Sequence, residues 1–297
     1  MSPGGAPRPG HRYVVTPMSL ISAADLAALL AGDRAQAPVV VCDVRFYLGD
    51  HAQGAREYAE GHVPGARFVD LHHDLADVTR TGAGRHPLPS PQAFTELLGR
   101  LGVTPTSHVV AYDAAAGATA ARLWWMLRSI GHIRVSVLDG GWSAWLAAGG
   151  PTSRDTPNVT TTVYPTATEW TGTATADEVA AALAAGSAVV VDSRAPERYR
   201  GDTEPLDPRA GHVPGAINRF HAANVGADGV LLGAADLAPR FAEVGTAPIV
   251  YCGSGVTACH NLLAMERAGV TGARLYPGSW SEWSSDPERP VAVGSQP

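Results

Sequence analysis

The hexapeptide Gly61-His62-Val63-Pro64-Gly65-Ala66 returns unchanged at Gly211 to Ala216, and it does not return alone. Upstream, Val39-Val40-Val41-Cys42-Asp43-Val44-Arg45 reappears as Val189-Val190-Val191-Asp192-Ser193-Arg194. Downstream, Asp139-Gly140-Gly141-Trp142-Ser143-Ala144-Trp145 pairs with Pro277-Gly278-Ser279-Trp280-Ser281-Glu282-Trp283. The chain therefore carries two degenerate copies of one unit, and its fold must be built twice from the same order of elements. One difference between the copies bears on chemistry. Val109-Val110-Ala111-Tyr112-Asp113 aligns with Ile249-Val250-Tyr251-Cys252, so Asp113 stands where the second copy has its cysteine. At this place only the second copy can do thiol chemistry.

Periodicity says what each copy is made of. Ser22-Ala23-Ala24-Asp25 and Thr175-Ala176-Asp177-Glu178 each open an Ala/Leu-rich stretch with a hydroxyl at the N-cap and an acid three residues later, so both are expected helix starts. Each helix leads into an unbroken valine run, the pattern of a strand buried on both faces of a parallel sheet. The expectation is an α/β fold in which right-handed crossovers put a functional loop at the carboxyl end of a strand. Pro151 to Ala167 is rich in Thr, Pro and Ser and has little periodicity. The expected boundaries are a loose tail over 1–18, a first domain over 19–150, a linker over 151–168 and a second domain over 169–292.

Composition removes several functions. A chain of 297 residues, 45% hydrophobic, can bury two cores of ordinary size. A net charge of -6 leaves no basic footprint for nucleic acid, and no apolar run approaches the length that spans a membrane. Met1 to Met18 is rich in Pro and Gly and lacks the apolar core of a signal peptide. Three cysteines make no disulfide framework, so a reducing compartment, the cytoplasm, is expected. All 22 Lys+Arg positions are Arg. Schiff-base chemistry on lysine and a phosphate-loop lysine are thereby excluded, and any cation that holds an anionic substrate must be a guanidinium. Cys252, Cys259 and His260 lack zinc-site spacing, and no metal is expected.

The stretch Cys252-Gly253-Ser254-Gly255-Val256-Thr257-Ala258 lies between the apolar run Ala247-Pro248-Ile249-Val250-Tyr251 and a helix-like stretch from Cys259 to Ala268. A strand that ends in Cys and two glycines and then enters a helix wraps backbone N–H groups around the sulfur and aims the helix's positive end at it, a setting that favours a thiolate. This loop resembles the active-site loop of the rhodanese superfamily and looks in particular like that of the 3-mercaptopyruvate sulfurtransferases. The duplicated unit extends the resemblance over most of the chain, as in tandem rhodanese-like proteins.

The resemblance implies two rhodanese-like domains, each a mainly parallel sheet flanked by helices, the first inactive through Asp113 and the second catalytic through Cys252. It implies a sulfurtransferase that moves sulfur from 3-mercaptopyruvate through a Cys252 persulfide, cradled by Gly253, Gly255, Val256, Thr257 and Ala258, and releases pyruvate. Ser254 would relay a proton, and Arg200 and Arg209 would bind the substrate carboxylate, while Arg194 and Arg198 are read as solvated surface residues. Acceptors would be thioredoxin, a small thiol or cyanide, with no cofactor. From the first copy, His86 and Arg85 in Gly84-Arg85-His86-Pro87 would reach across to the cysteine. The family's acid after Phe-x-Asp is here His72, with Asp74 two residues on, so the acid of any relay departs from the pattern. Two alternatives stand beside this reading: a thiosulfate:cyanide sulfurtransferase, whose loop usually carries two basic residues where this chain has Gly253 and Ser254, and a sulfur-carrier or sensor module without turnover. A cysteine phosphatase would need an Arg at the place of Ala258.

Overall fold

The computed structural model describes residues 19–32 and 38–297; Met1 to Met18, expected as a tail, lie outside the described residues. The first half runs β1 (Leu20–Ile21), α1 (Ala23–Ala31), β2 (Val39–Asp43), α2 (Gln53–Glu60), β3 (Arg67–Phe68), α3 (Pro91–Arg100), β4 (His108–Tyr112), α4 (Ala120–Ser129), β5 (Val135–Leu138) and α5 (Gly141–Ala147). The second half runs α6 (Ala176–Ala185), β6 (Val190–Asp192), α7 (Pro196–Arg200), β7 (Ile217–Asn218), α8 (Ala234–Arg240), β8 (Ile249–Tyr251), α9 (Thr257–Arg267), β9 (Arg274–Leu275) and α10 (Ser279–Trp283). Strands order as β1-β5-β4-β2-β3 and β7-β6-β8-β9, and the recorded pairings within both sheets are parallel.

The local signals act as the residue chemistry requires. Ser22 Oγ accepts the amide of Asp25, and Thr175 with Glu178 closes a reciprocal capping box at the start of α6. The valine runs of β2 and β6 are almost wholly buried because helices cover both faces of each sheet.

The repeat is carried by one buried constellation made twice. Arg45 forks onto Asp43 and donates to the carbonyl of Gly61, and its guanidinium stacks 4.9 Å from the Trp142 ring. Arg194 does the same with Asp192, the carbonyl of Gly211 and Trp280, at 4.5 Å. His62 and His212, the shared histidines, meet the carbonyls of Tyr58 and Tyr199 at 2.8 Å and stack on those rings. They are turn residues, as expected for a group present in both copies. Arg194, read from sequence as a surface residue, is 3% exposed. Its fork needs the carboxylate two positions earlier, and that pairing takes it into the core.

Between α5 and α6 the chain has no helix or strand, but it is strapped to the first half. Ser153 bridges His62, the amide of Thr162 donates to the carbonyl of Gly99, and Trp170 Nε1 donates to the carbonyl of Pro89. The two halves share a core. Helix α4 is buried around almost its whole circumference and packs on α9, so the helices that follow the two equivalent loops are the seam of the molecule.

Candidate active site

Cys252 directly follows β8, 2% exposed, at the floor of a cleft of about 310 Å³ that is lined from both halves. Its backbone is held at both ends. The Cys252 amide donates to Ser279 Oγ at 3.1 Å, and its carbonyl accepts from the amide of Trp280 at 3.0 Å. Gly255 has φ of +75°, and a Cβ there would stand 2.4 Å from the carbonyl oxygen of Pro277, so only glycine turns the loop at this point. Beyond it, α9 begins at Thr257 and directs its first amides toward the loop.

The first copy shows what such a loop holds. Its equivalent turn has Ala116 at φ of +53°, in register with Gly255. Asp113 is fully buried, and its carboxylate accepts the amides of Ala115, Gly117, Thr119 and Ala120 at 2.7 to 2.9 Å, with the Thr119 hydroxyl at 2.9 Å. The loop is an anion cradle filled by its own side chain. In the second copy a single sulfur replaces the carboxylate, and the amides of Ser254, Val256 and Ala258 have no acceptor among the described residues.

Across the cleft, a strap of the first half brings the predicted partners. Gly84, φ of +89°, approaches the second half so closely that a Cβ would meet the carbonyl oxygen of Gly278 at 2.6 Å, and the amide of Arg85 donates to Ser281 Oγ at 2.9 Å. This docks His86 with its Nδ1 2.8 Å from Ser254 Oγ. Burial, with the charges of Arg122 and Arg85 adding to it, drives His86 down to about 3, so the pair is neutral at ordinary pH. His72 makes no hydrogen bond to His86. It stands edge-on to that ring at 5.7 Å and tilts against His51 at 4.4 Å. Asp74 is further removed: its carboxylate accepts the amide of Asp70 and lies 3.7 Å from Arg100.

The arginines are distributed differently from expectation. Arg200 points outward onto Asp202, and Arg209 donates to the carbonyls of Ser284, Arg289 and Trp283, closing the turn after α10. Neither lines the cleft. The cations that do are Arg85, Arg194 and Arg198. A Cβ on Gly253 would come within 2.9 Å of Arg85 Nη2 and 3.4 Å of Arg198 Nη1, which puts both guanidinium groups directly over the residue after Cys252. Arg198, like Arg194, is therefore no solvated surface residue. Arg198 and Arg200 are two apart on α7 and so face different ways.

Sequence reading also missed Arg122. This side chain of α4 is fully buried, and it donates to the carbonyls of Gly255, Leu75 and His86 at 3.0 to 3.2 Å. It ties the Cys252 loop to the strap that carries His86. The signal was present: Arg122 stands in the first turn of the helix, between Ala121 and the apolar run Leu123-Trp124-Trp125-Met126-Leu127, whereas Arg128 falls at its end. Cys259 is pushed up to about 12 by burial and donates to the carbonyl of Gly255 at 3.4 Å, a small core residue at neutral pH. Among the described residues no cluster fit to hold a metal ion occurs, and no helix is long and apolar enough to cross a membrane.

Comparison with known proteins agrees with this architecture. The chain matches the Rhodanese-like domain twice, over residues 22–148 and 175–286. It is 42% identical over 282 residues to a Pseudomonas aeruginosa protein named "Probable 3-mercaptopyruvate sulfurtransferase", covering 93% of this chain and 98% of that one. It is also 42% identical over 286 residues to a Mycobacterium tuberculosis protein that carries the name of a thiosulfate sulfurtransferase, SseB, covering 93% and 97%. Among solved structures, the 3-mercaptopyruvate sulfotransferase SseA of Escherichia coli superposes with a TM-score of 0.75 at 30% identity over 89% of this chain and 99% of that one. With the match made once in each half and one cysteine loop between them, the chain belongs to the rhodanese family as a tandem of two rhodanese-like domains.

Proposed function

We propose that the protein is a sulfurtransferase that takes sulfur from 3-mercaptopyruvate onto Cys252 and passes it to a thiol or to cyanide, with pyruvate as the other product. One juxtaposition carries the reading: a cysteine in an anion cradle, the neutral Ser254 and His86 pair beside it, and the Arg85 and Arg198 guanidinium groups above Gly253. The Cys252 sulfur attacks the substrate sulfur. An S–S bond forms, the C–S bond breaks, and its electron pair leaves on carbon as the enolate of pyruvate. The thiol proton of the donor reaches that enolate through Ser254 and His86, so the persulfide is left anionic in the cradle. Arg198 and Arg85 hold the carboxylate in the place first expected for Arg200 and Arg209. An acceptor thiolate then attacks the outer sulfur and returns Cys252 as its thiolate.

Thiosulfate is the second reading, favoured by the name of the M. tuberculosis relative at equal identity and by the cations over Gly253. Against it, Gly253 and Ser254 add no charge of their own. The deciding experiment measures kcat/KM for both donors with cyanide and with a dithiol, and follows the added sulfur by mass spectrometry. Preference for mercaptopyruvate with the extra sulfur on Cys252, lost in Cys252→Ser, is expected. A persulfide on Cys42 or Cys259 in active protein, or a strong thiosulfate preference, would sink the assignment.

A further inference from the structure

We propose that Glu204 and Asp207 act as a charge filter that fits the cleft to singly charged donors and against dianions; this rests on the sulfur-transfer reading of Cys252. The three guanidinium groups that line the cleft are each backed by a carboxylate. Arg194 forks onto Asp192 and reaches Glu204 Oε2 at 3.2 Å. Arg198 Nη2 meets Glu204 Oε1 at 2.6 Å and Asp207 Oδ2 at 3.1 Å. Arg85, from the other half of the chain, pairs with the second oxygen of Asp207. Both acidic side chains are nearly inaccessible, 3% exposed for Glu204 and 2% for Asp207. The amides of Leu206 and Asp207 donate to Glu204 Oε1 at 3.1 and 3.2 Å, which pins the turn so that these carboxylates stay on their arginines.

Among the side chains that line the cleft, three positive charges thus face the three negative charges of Asp192, Glu204 and Asp207, while Arg122 lies beneath the loop on backbone carbonyls and is the same in every variant compared below. The histidines add none, because burial holds His86 and His221 below their ordinary range. A cleft of bare arginines would reward each further negative charge on the donor. A compensated one offers a carboxylate its hydrogen bonds with little field left for a second charge. The two cations stand over Gly253, beside the reacting sulfur, so a change in their compensation is felt where the donor sits.

The test compares the parent with Asp207→Asn and Glu204→Gln, each keeping shape while removing one negative charge. The ratio of thiosulfate to mercaptopyruvate kcat/KM should rise about five- to tenfold in each variant, since a dianion gains twice what a monoanion gains. A second readout uses no sulfur donor. The rate of Cys252 alkylation by iodoacetate relative to neutral iodoacetamide should rise in the same direction, which a merely structural role would not produce. Unchanged ratios in folded, alkylatable protein overturn the filter. If Asp207→Asn does not fold, Glu204→Gln decides. A parent enzyme that prefers thiosulfate would defeat the donor assignment above, yet the alkylation comparison would still judge the filter.

Discussion

Ser254 and His86 come from opposite halves of the chain, and neither has a counterpart chemistry in the first copy, where Ala115 stands in register with Ser254. If they act as one proton-handling unit, Ser254→Ala and His86→Asn should each lower kcat/KM for mercaptopyruvate about a hundredfold, and the double variant should fall little further. Losses that multiply would mean two independent roles. His72, edge-on and without a bond to His86, should matter less than either. Asp113 is a different case. Its removal leaves four amides, three of them buried, without an acceptor, so Asp113→Ala should cost about 2 to 4 kcal/mol, roughly 5 to 10 °C in melting temperature, with kcat unchanged in the folded fraction. A drop in kcat without a drop in melting temperature would give the first loop a part in turnover.

Among the elements, α4 is the least expected contributor, because it supplies both the seam with α9 and the Arg122 fork under the catalytic loop. Lysine keeps the charge but cannot span three carbonyls. Arg122→Lys should therefore cut kcat about tenfold or more by loosening the strap that presents His86. Full activity would show that Gly84 and the Ser281 bond suffice to hold the strap. Much of this level was legible in the sequence. The hydroxyl caps at Ser22 and Thr175, the valine runs and the repeated turn announced two α/β units, and the motifs named Cys252, Ser254, Arg85 and His86, which the structure brings to one cleft. The arginines of α7 were not, since chain spacing does not say which side of a short helix faces the cleft. The left-handed turn at Gly201, φ of +80°, closes α7 right after Arg200 and leaves that residue outside. Arg209 was misread for a related reason: its donors are consumed by carbonyls of a turn some 75 residues later, a pairing no local pattern records.

At the scale of the whole molecule, the two halves are joined by a shared core and by buried groups that tolerate no proton. Burial drives His86 down to about 3 and His260 to about 4, whereas the unfolded chain protonates its histidines near 6.5. Folded values below unfolded ones mean that the contribution is whole above pH 6.5 and is lost progressively as pH falls toward 4 and 3. Melting temperature should fall between pH 7 and pH 5, and His260→Asn should flatten that slope. Equal melting temperatures at the two pH values would show that these imidazoles take no part in it. The cradle of the first copy carries a last consequence. Asp113 satisfies that loop permanently, while the second loop meets its full set of acceptors only when Cys252 bears an anionic outer sulfur. Loading with sulfur then slows hydrogen exchange around Ser254 to Ala258 and leaves the Asp113 loop indifferent. Supply of donor becomes legible in the protein's resistance to proteases: a starved cell would hold the same chain in a more perishable form.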